Sequence, residues 1–157
     1  ETVAAMARVC VGAETYADET RPMAGLAPGV HFDRIDEAIA KTAITTANSL
    51  GAKAIAAMTE SGATAMWMSR IGTDIPIYAL SEQPRTRRRV TLYRGVNPIS
   101  FDPTQREHDA VNREAVAELQ SRDVVSGDDL VVITKGDLAG VRGGTNALKV
   151  VRVNEIL

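Results

Sequence analysis

A chain of 157 residues, 45% apolar and 24% charged, is long enough to bury a single core without disulfides or metals. Its formal net charge of −2 and its six scattered aromatics disfavour a polyanion binder with base-stacking platforms, so no nucleic-acid partner is expected. The single Cys10 forms neither an intramolecular disulfide nor a thiolate cage, and no apolar run approaches the roughly 20 residues of a membrane-spanning helix, so no membrane partner and a cytoplasmic location are expected. The start, Glu1-Thr2-Val3-Ala4, is not signal-like, and the missing initiator Met points to a piece cut from a longer chain.

Residues 1–14 place Val3, Met6, Ala7, Cys10 and Val11 at helical spacing, which predicts a helix with Cys10 buried on its stripe as a bystander. The polar stretch from Tyr16 to Pro22 reads as a linker, and Pro22, Gly25, Pro28 and Gly29 mark a boundary. The expected organisation is therefore a leading helix plus linker at 1–21 and one domain at 22–157, its body starting near Val30.

From Asp33, a candidate N-cap, Ile35, Ala38, Ile39, Thr42, Ala43, Thr46, Ala47 and Leu50 repeat at three and four up to a stop at Gly51. Residues 52–58 read as a strand buried on both faces. The pattern then predicts helix over 63–71, strand over 75–80, helix over 84–93, strand over 96–101, helix over 107–122, and strands over 130–134 and 146–153. Alternating strands and helices of about ten residues predict an α/β fold: a three-layer α/β/α sandwich with a five-stranded, mainly parallel sheet. The connection 135–145 is too short for a crossover helix, so the last strand is expected antiparallel beside its predecessor.

The segment Thr59-Glu60-Ser61-Gly62-Ala63-Thr64 stands between a buried strand and a helix. Amides at a helix N-terminus, with hydroxyls and a glycine beside them, make a seat for phosphate, and carboxyl ends of parallel strands are where ligands collect. It lacks the lysine and spacing of a Walker A loop. The bland alternative, a helix capped by Thr59 or Ser61, explains one hydroxyl without any ligand, and Glu60 counts against a phosphate unless it points away.

A second segment, Lys135-Gly136-Asp137-Leu138-Ala139-Gly140-Val141-Arg142-Gly143-Gly144-Thr145-Asn146, also follows a strand. Its Lys135 and Arg142 supply charge and its four glycines, Gly136, Gly140, Gly143 and Gly144, supply freedom to fold over an anion in the first loop; the alternative is a flexible connection before an edge strand. The run Arg85, Arg87, Arg88, Arg89 is expected to be the solvated side of a helix whose apolar side is Val90, Leu92 and Tyr93. Met66, Trp67 and Met68 are expected in packing, and His31 and His108 lack partners at metal-ligand spacing. No nucleophile elbow, His/Cys pair, metalloprotease helix or dinucleotide fingerprint is present, so the residues support binding over catalysis.

The runs Met58-Thr59-Glu60-Ser61-Gly62-Ala63-Thr64-Ala65, Ser69-Arg70, Ile75-Pro76-Ile77-Tyr78-Ala79-Leu80 and Leu92-Tyr93-Arg94-Gly95-Val96-Asn97-Pro98 resemble the C-terminal domain of pyruvate kinase. The resemblance continues through Ser126-Gly127-Asp128-Asp129-Leu130-Val131-Val132-Ile133-Thr134-Lys135-Gly136 and Gly144-Thr145-Asn146, covering residues 32–153. Residues 1–14 are similar to the last helix of the family's catalytic barrel, and the details look like the bacterial type activated by sugar monophosphates or AMP.

The resemblance implies a homotetrameric, cytoplasmic glycolytic enzyme that moves phosphate from phosphoenolpyruvate to ADP, with Mg²⁺ and K⁺ in its barrel. A barrel takes about 250 residues, so this stretch would be the regulatory domain, with no catalytic residue and no metal site of its own. Carried over from the family, Thr59, Ser61 and Thr64 would donate hydroxyls to an effector's phosphate, Gly62 and Ala63 main-chain amides, and Lys135 or Arg142 charge. Glu60, where bisphosphate-activated members often have a basic residue, and Ala63, with no side-chain donor, favour a sugar monophosphate or AMP. Self-association through the last strand and neighbouring helices is also expected. The competing reading is a free-standing phosphosugar- or nucleotide-binding α/β module; a small phosphotransferase would need a catalytic constellation that the sequence does not offer.

Overall fold

The computed structural model describes residues 1–20, 31–103, 108–137 and 143–156. Among them the helices are α1 (Thr2–Thr20), α2 (Ile35–Leu50), α3 (Ala63–Ile71), α4 (Pro84–Val90), α5 (His108–Gln120) and α6 (Val153–Ile156). The strands are β1 (Ala54–Met58), β2 (Ile77–Ser81), β3 (Val96–Ser100), β4 (Leu130–Gly136) and β5 (Thr145–Arg152). They form one five-stranded sheet of order β3-β2-β1-β4-β5, parallel throughout except for the antiparallel β4–β5 pair.

All five residues of β1 are buried because the strand is central and covered on both faces. Ala54, Ala56 and Met58 join a core with Val111, Ala115, Val116 and Leu119 of α5. Ile55 and Ala57 join a second core with Ala40, Ala43, Ile44 and Ala47 of α2, Ala65 and Met68 of α3, and Val90 of α4. Small alanines on β1 let helices approach closely from either side. The three-layer arrangement therefore follows from period-2 side chains on a strand facing two helical stripes.

Several boundaries differ from the sequence pattern, each for a local reason. Helix α1 runs to Thr20 rather than ending near residue 14, since no proline precedes Pro22. Its Val3, Met6, Val9 and Val11 are exposed, and so is Cys10, which corrects the expectation of a buried thiol: among the described residues no element covers that stripe. At the start of α2 the N-cap is Arg34, with extended backbone angles, and not Asp33. Ile35 opens α2 and Leu92 follows the end of α4, so both lie beyond the packed faces assigned to them and are 67% and 84% exposed. The chain after Arg152 turns into α6, where the pattern of apolar residues suggested more strand.

Candidate anion-binding site

Strands β1 and β4 are parallel neighbours, with Ala57 paired to Thr134, so the loops that follow them leave the same edge of the sheet. Strand order departs from β1 towards β2 on one side and reaches β4 on the other, and this reversal opens a crevice outside the carboxyl ends of β1 and β4. The two loops singled out from the sequence flank it.

The first loop is tightly built. Thr59 donates its amide to Leu80 O at 3.0 Å, and its Oγ1 accepts the Gly62 N–H at 2.9 Å. Gly62 has φ of +80°, and a Cβ there would lie 2.9 Å from Val90 Cγ1, so backbone conformation and space both require glycine. From the same helix, Thr86 Oγ1 donates to Glu60 O at 2.7 Å. Helix α4 thus braces the loop and fixes where α3 starts. The first turn of α3 is closed by Met66 N–H to Gly62 O at 3.0 Å, which leaves the amides of Ala63, Thr64 and Ala65 ahead of the intrahelical ladder. Those amides and the helix dipole suit an anion.

The side chains divide differently from the sequence reading. Thr59, Glu60, Ser61 and Ala63 are half-buried on the loop, whereas Gly62 has its N–H engaged by Thr59. Thr64 is turned inward: it is 1% exposed and its hydroxyl donates to Thr145 Oγ1 at 2.8 Å. Thr145 opens β5, so this bond ties the first turn of α3 to the start of β5.

On the second loop, Lys135 and Gly136 are half-buried at the end of β4, and Gly140 and Arg142 lie outside the described residues. Gly136 pairs with Thr145 next to a register shift, and a Cβ on it would lie 2.5 Å from Gly144 O, so the two arms of the connection touch backbone to backbone. Gly143 has φ of +70°, and a Cβ there would lie 3.2 Å from Arg34 Nη2. Arg34 in turn grips the buried Asp36 through Nε at 2.9 Å and Nη2 at 2.8 Å, while Asp36 also accepts the Glu37 N–H at 3.1 Å. The hydrogen bond to Asp36 and its negative charge hold the Arg34 guanidinium above its ordinary pKa. Sequence reasoning missed Arg34, although an opposite-charge pair flanking the start of α2 was a legible hint, and it placed Thr145 in the second segment without giving its side chain a partner.

Elsewhere, Arg85, Arg88 and Arg89 are exposed as expected for a solvated face, but Arg87 reaches back to donate to Ser81 O at 2.9 Å and Glu82 O at 2.6 Å. Met68 lies in the core, and Trp67 packs against it with Arg70 over its ring, 5.5 Å from the centroid. Among the described residues no helix is long and apolar enough to cross a membrane.

Comparison with known proteins adds the lineage. Residues 37–151 match the family model described as the pyruvate kinase alpha/beta domain. The chain is 43% identical over 154 residues to pyruvate kinase II of Salmonella typhimurium and 43% identical over 154 residues to a pyruvate kinase of Buchnera aphidicola from Schizaphis graminum. These alignments cover 98% of this chain but only 32% and 31% of the relatives' lengths. A pyruvate kinase of Haemophilus influenzae is 37% identical over 137 residues, 87% of this chain and 28% of that protein. With the mixed sheet and the family match agreeing over most of its length, the chain belongs to the pyruvate kinase family, as its C-terminal alpha/beta domain.

Proposed function

We propose that this domain is the allosteric and oligomerisation part of a pyruvate kinase, and that a monophosphorylated sugar or AMP seats its phosphate on the amides opening α3. The parent enzyme would transfer the phosphoryl group of phosphoenolpyruvate to ADP in a separate barrel, where Mg²⁺ and K⁺ belong. A barrel takes about 250 residues and an open five-stranded sheet is not one, so the domain alone should form no pyruvate. The exposed apolar stripe of α1 suits packing against such a barrel.

The observation that carries the reading is the adjacency of three unladdered amides at Ala63, Thr64 and Ala65 to the β4–β5 loop, at the reversal point of a parallel sheet. An effector acts only through different affinities for two arrangements of the enzyme, and domain or subunit rotation is the natural carrier. Among the described residues β5 ends the sheet, and its outer edge would pair with that of a twofold mate.

Isothermal titration with glucose 6-phosphate, ribose 5-phosphate, AMP and fructose 1,6-bisphosphate tests the site. Saturable one-to-one binding by a monophosphate is expected; binding by the bisphosphate alone overturns the ligand class, and binding by none overturns the effector role. Light scattering tests the edge: a mass of one chain at high concentration overturns self-association through β5.

A further inference from the structure

We propose that the sheet takes a partner strand at β5 and not at β3, because Pro98 and the turn at Tyr93 strip the β3 edge of donors; a second copy of this chain then closes a two-chain sheet instead of starting an open stack. The inference rests on the self-association through β5 proposed above and adds what halts it at two.

Among the described residues the outer strands of the sheet are β3 and β5. Which amides of β3 face outward follows from its bonds to β2. Ile77 donates its N–H to Gly95 O at 2.9 Å, and the Phe101 N–H donates to Ser81 O at 3.3 Å. Backbone groups alternate in direction along a strand, so residues 95, 97, 99 and 101 point theirs toward β2, while Val96, Pro98 and Ser100 point theirs away from the sheet. The Val96 N–H is already given to Tyr93 O at 3.2 Å, and Pro98 has none to give. Of the three outward residues, Ser100 is left to serve a neighbour. Proline by itself is merely tolerated on an edge; with the Val96 amide also spent on a turn, a strand laid beside β3 would forfeit two bonds in succession.

Strand β5 differs. Leu130 pairs with Arg152, and one step further Val153 donates to Asp129 O at 3.1 Å. The antiparallel alternation therefore turns the backbone groups of Ala147, Lys149 and Val151 toward β4 and those of Leu148, Val150 and Arg152 outward. None of these three is proline, and among the described residues none gives its amide to a turn. A twofold pair formed there uses the same edge on both copies, so a third chain would have to add at β3.

Light scattering on wild type and three variants tests this. Wild type should reach twice the 16.8 kDa of one chain, and Val150→Pro, which removes the central outward donor of β5, should fall to one. Pro98→Thr restores the missing donor on a residue suited to strands, and its mass should climb past two copies as concentration rises. Pro98→Thr combined with Ser100→Pro closes the edge again and should return to two. A Pro98→Thr mass no larger than that of wild type, or growth that Ser100→Pro does not reverse, overturns the inference and leaves pairing through β5 standing. A wild type of one chain, or a pair that survives Val150→Pro, overturns both.

Should Pro98→Thr not fold, hydrogen exchange on the wild type decides the question. On raising the concentration, the amides of Leu148, Val150 and Arg152 should slow while that of Ser100 stays fast; slowing at Ser100 overturns the proposal.

Discussion

The hydroxyl of Thr86 donates to the carbonyl oxygen of Glu60 at 2.7 Å, so α4 holds a loop that the chain has already left behind a helix and a strand earlier. Thr86 is 7% exposed, and Thr86→Val would strand a carbonyl without a substitute donor of the same reach. We expect a loss of about 1 to 2 kcal/mol in unfolding free energy, read by urea titration, with weaker organic-phosphate binding and recovery of both in Thr86→Ser. Unchanged stability would show that Glu60 O is served by solvent.

Gly62 combines a φ of +80° with a Cβ position 2.9 Å from Val90 Cγ1. Val90 is β-branched and fully buried, so it cannot swing aside. Gly62→Ala should cost about 2 to 4 kcal/mol, the sum of left-handed strain and overpacking. In a double-mutant cycle with Val90→Ala, the pair should be less unstable than the two single losses added, by about 1 kcal/mol or more. Strict additivity would mean that the dihedral angle alone demands glycine.

Thr134 on β4 is fully buried, and its Oγ1 has no hydrogen-bond partner among the described residues. It faces the layer of α2 and α3 beside Val132 and Ala57. Replacing an unpaired buried hydroxyl with a methyl of the same shape removes a desolvation cost, so Thr134→Val should raise stability by about 1 kcal/mol and the melting temperature by about 2 to 4 °C. A lower melting temperature would reveal that the hydroxyl is engaged.

The Arg34–Asp36 pair predicts a salt-sensitive contribution. The Arg34 side chain is 53% exposed and that of Asp36 2%, so removing the guanidinium leaves a covered carboxylate with less support than removing both groups. Arg34→Met should melt below wild type, and Arg34→Met with Asp36→Leu should melt above Arg34→Met alone. A double variant no more stable than the single one would show that the covered carboxylate needs no guanidinium beside it.

Much of the architecture was legible because long-range order here follows from local period. Buried alanines and Ile55 on β1 marked a central strand, and the short glycine-rich run after Lys135 could not hold a crossover, which made β5 antiparallel. The position of the Thr59–Thr64 turn was legible too, since a buried apolar run before it and a helical pattern after it put it at the carboxyl end of β1. Details that depend on tertiary partners were not. Cys10 lies on a helical stripe that looks like a core face, yet nothing in one helix says which element covers it. Nothing in the sequence near Thr64 shows that its hydroxyl bonds to Thr145, 81 residues away. Nor does the sequence near Gly62 show that Val90 occupies the space a side chain there would take.

The closeness of Gly136 to the carbonyl of Gly144 pins both ends of one surface excursion to a single point on the scaffold. Whatever is spliced between them enters and leaves through the same doorway. Descent can therefore retailor the length and wording of that excursion while the sheet beneath it stays as it is.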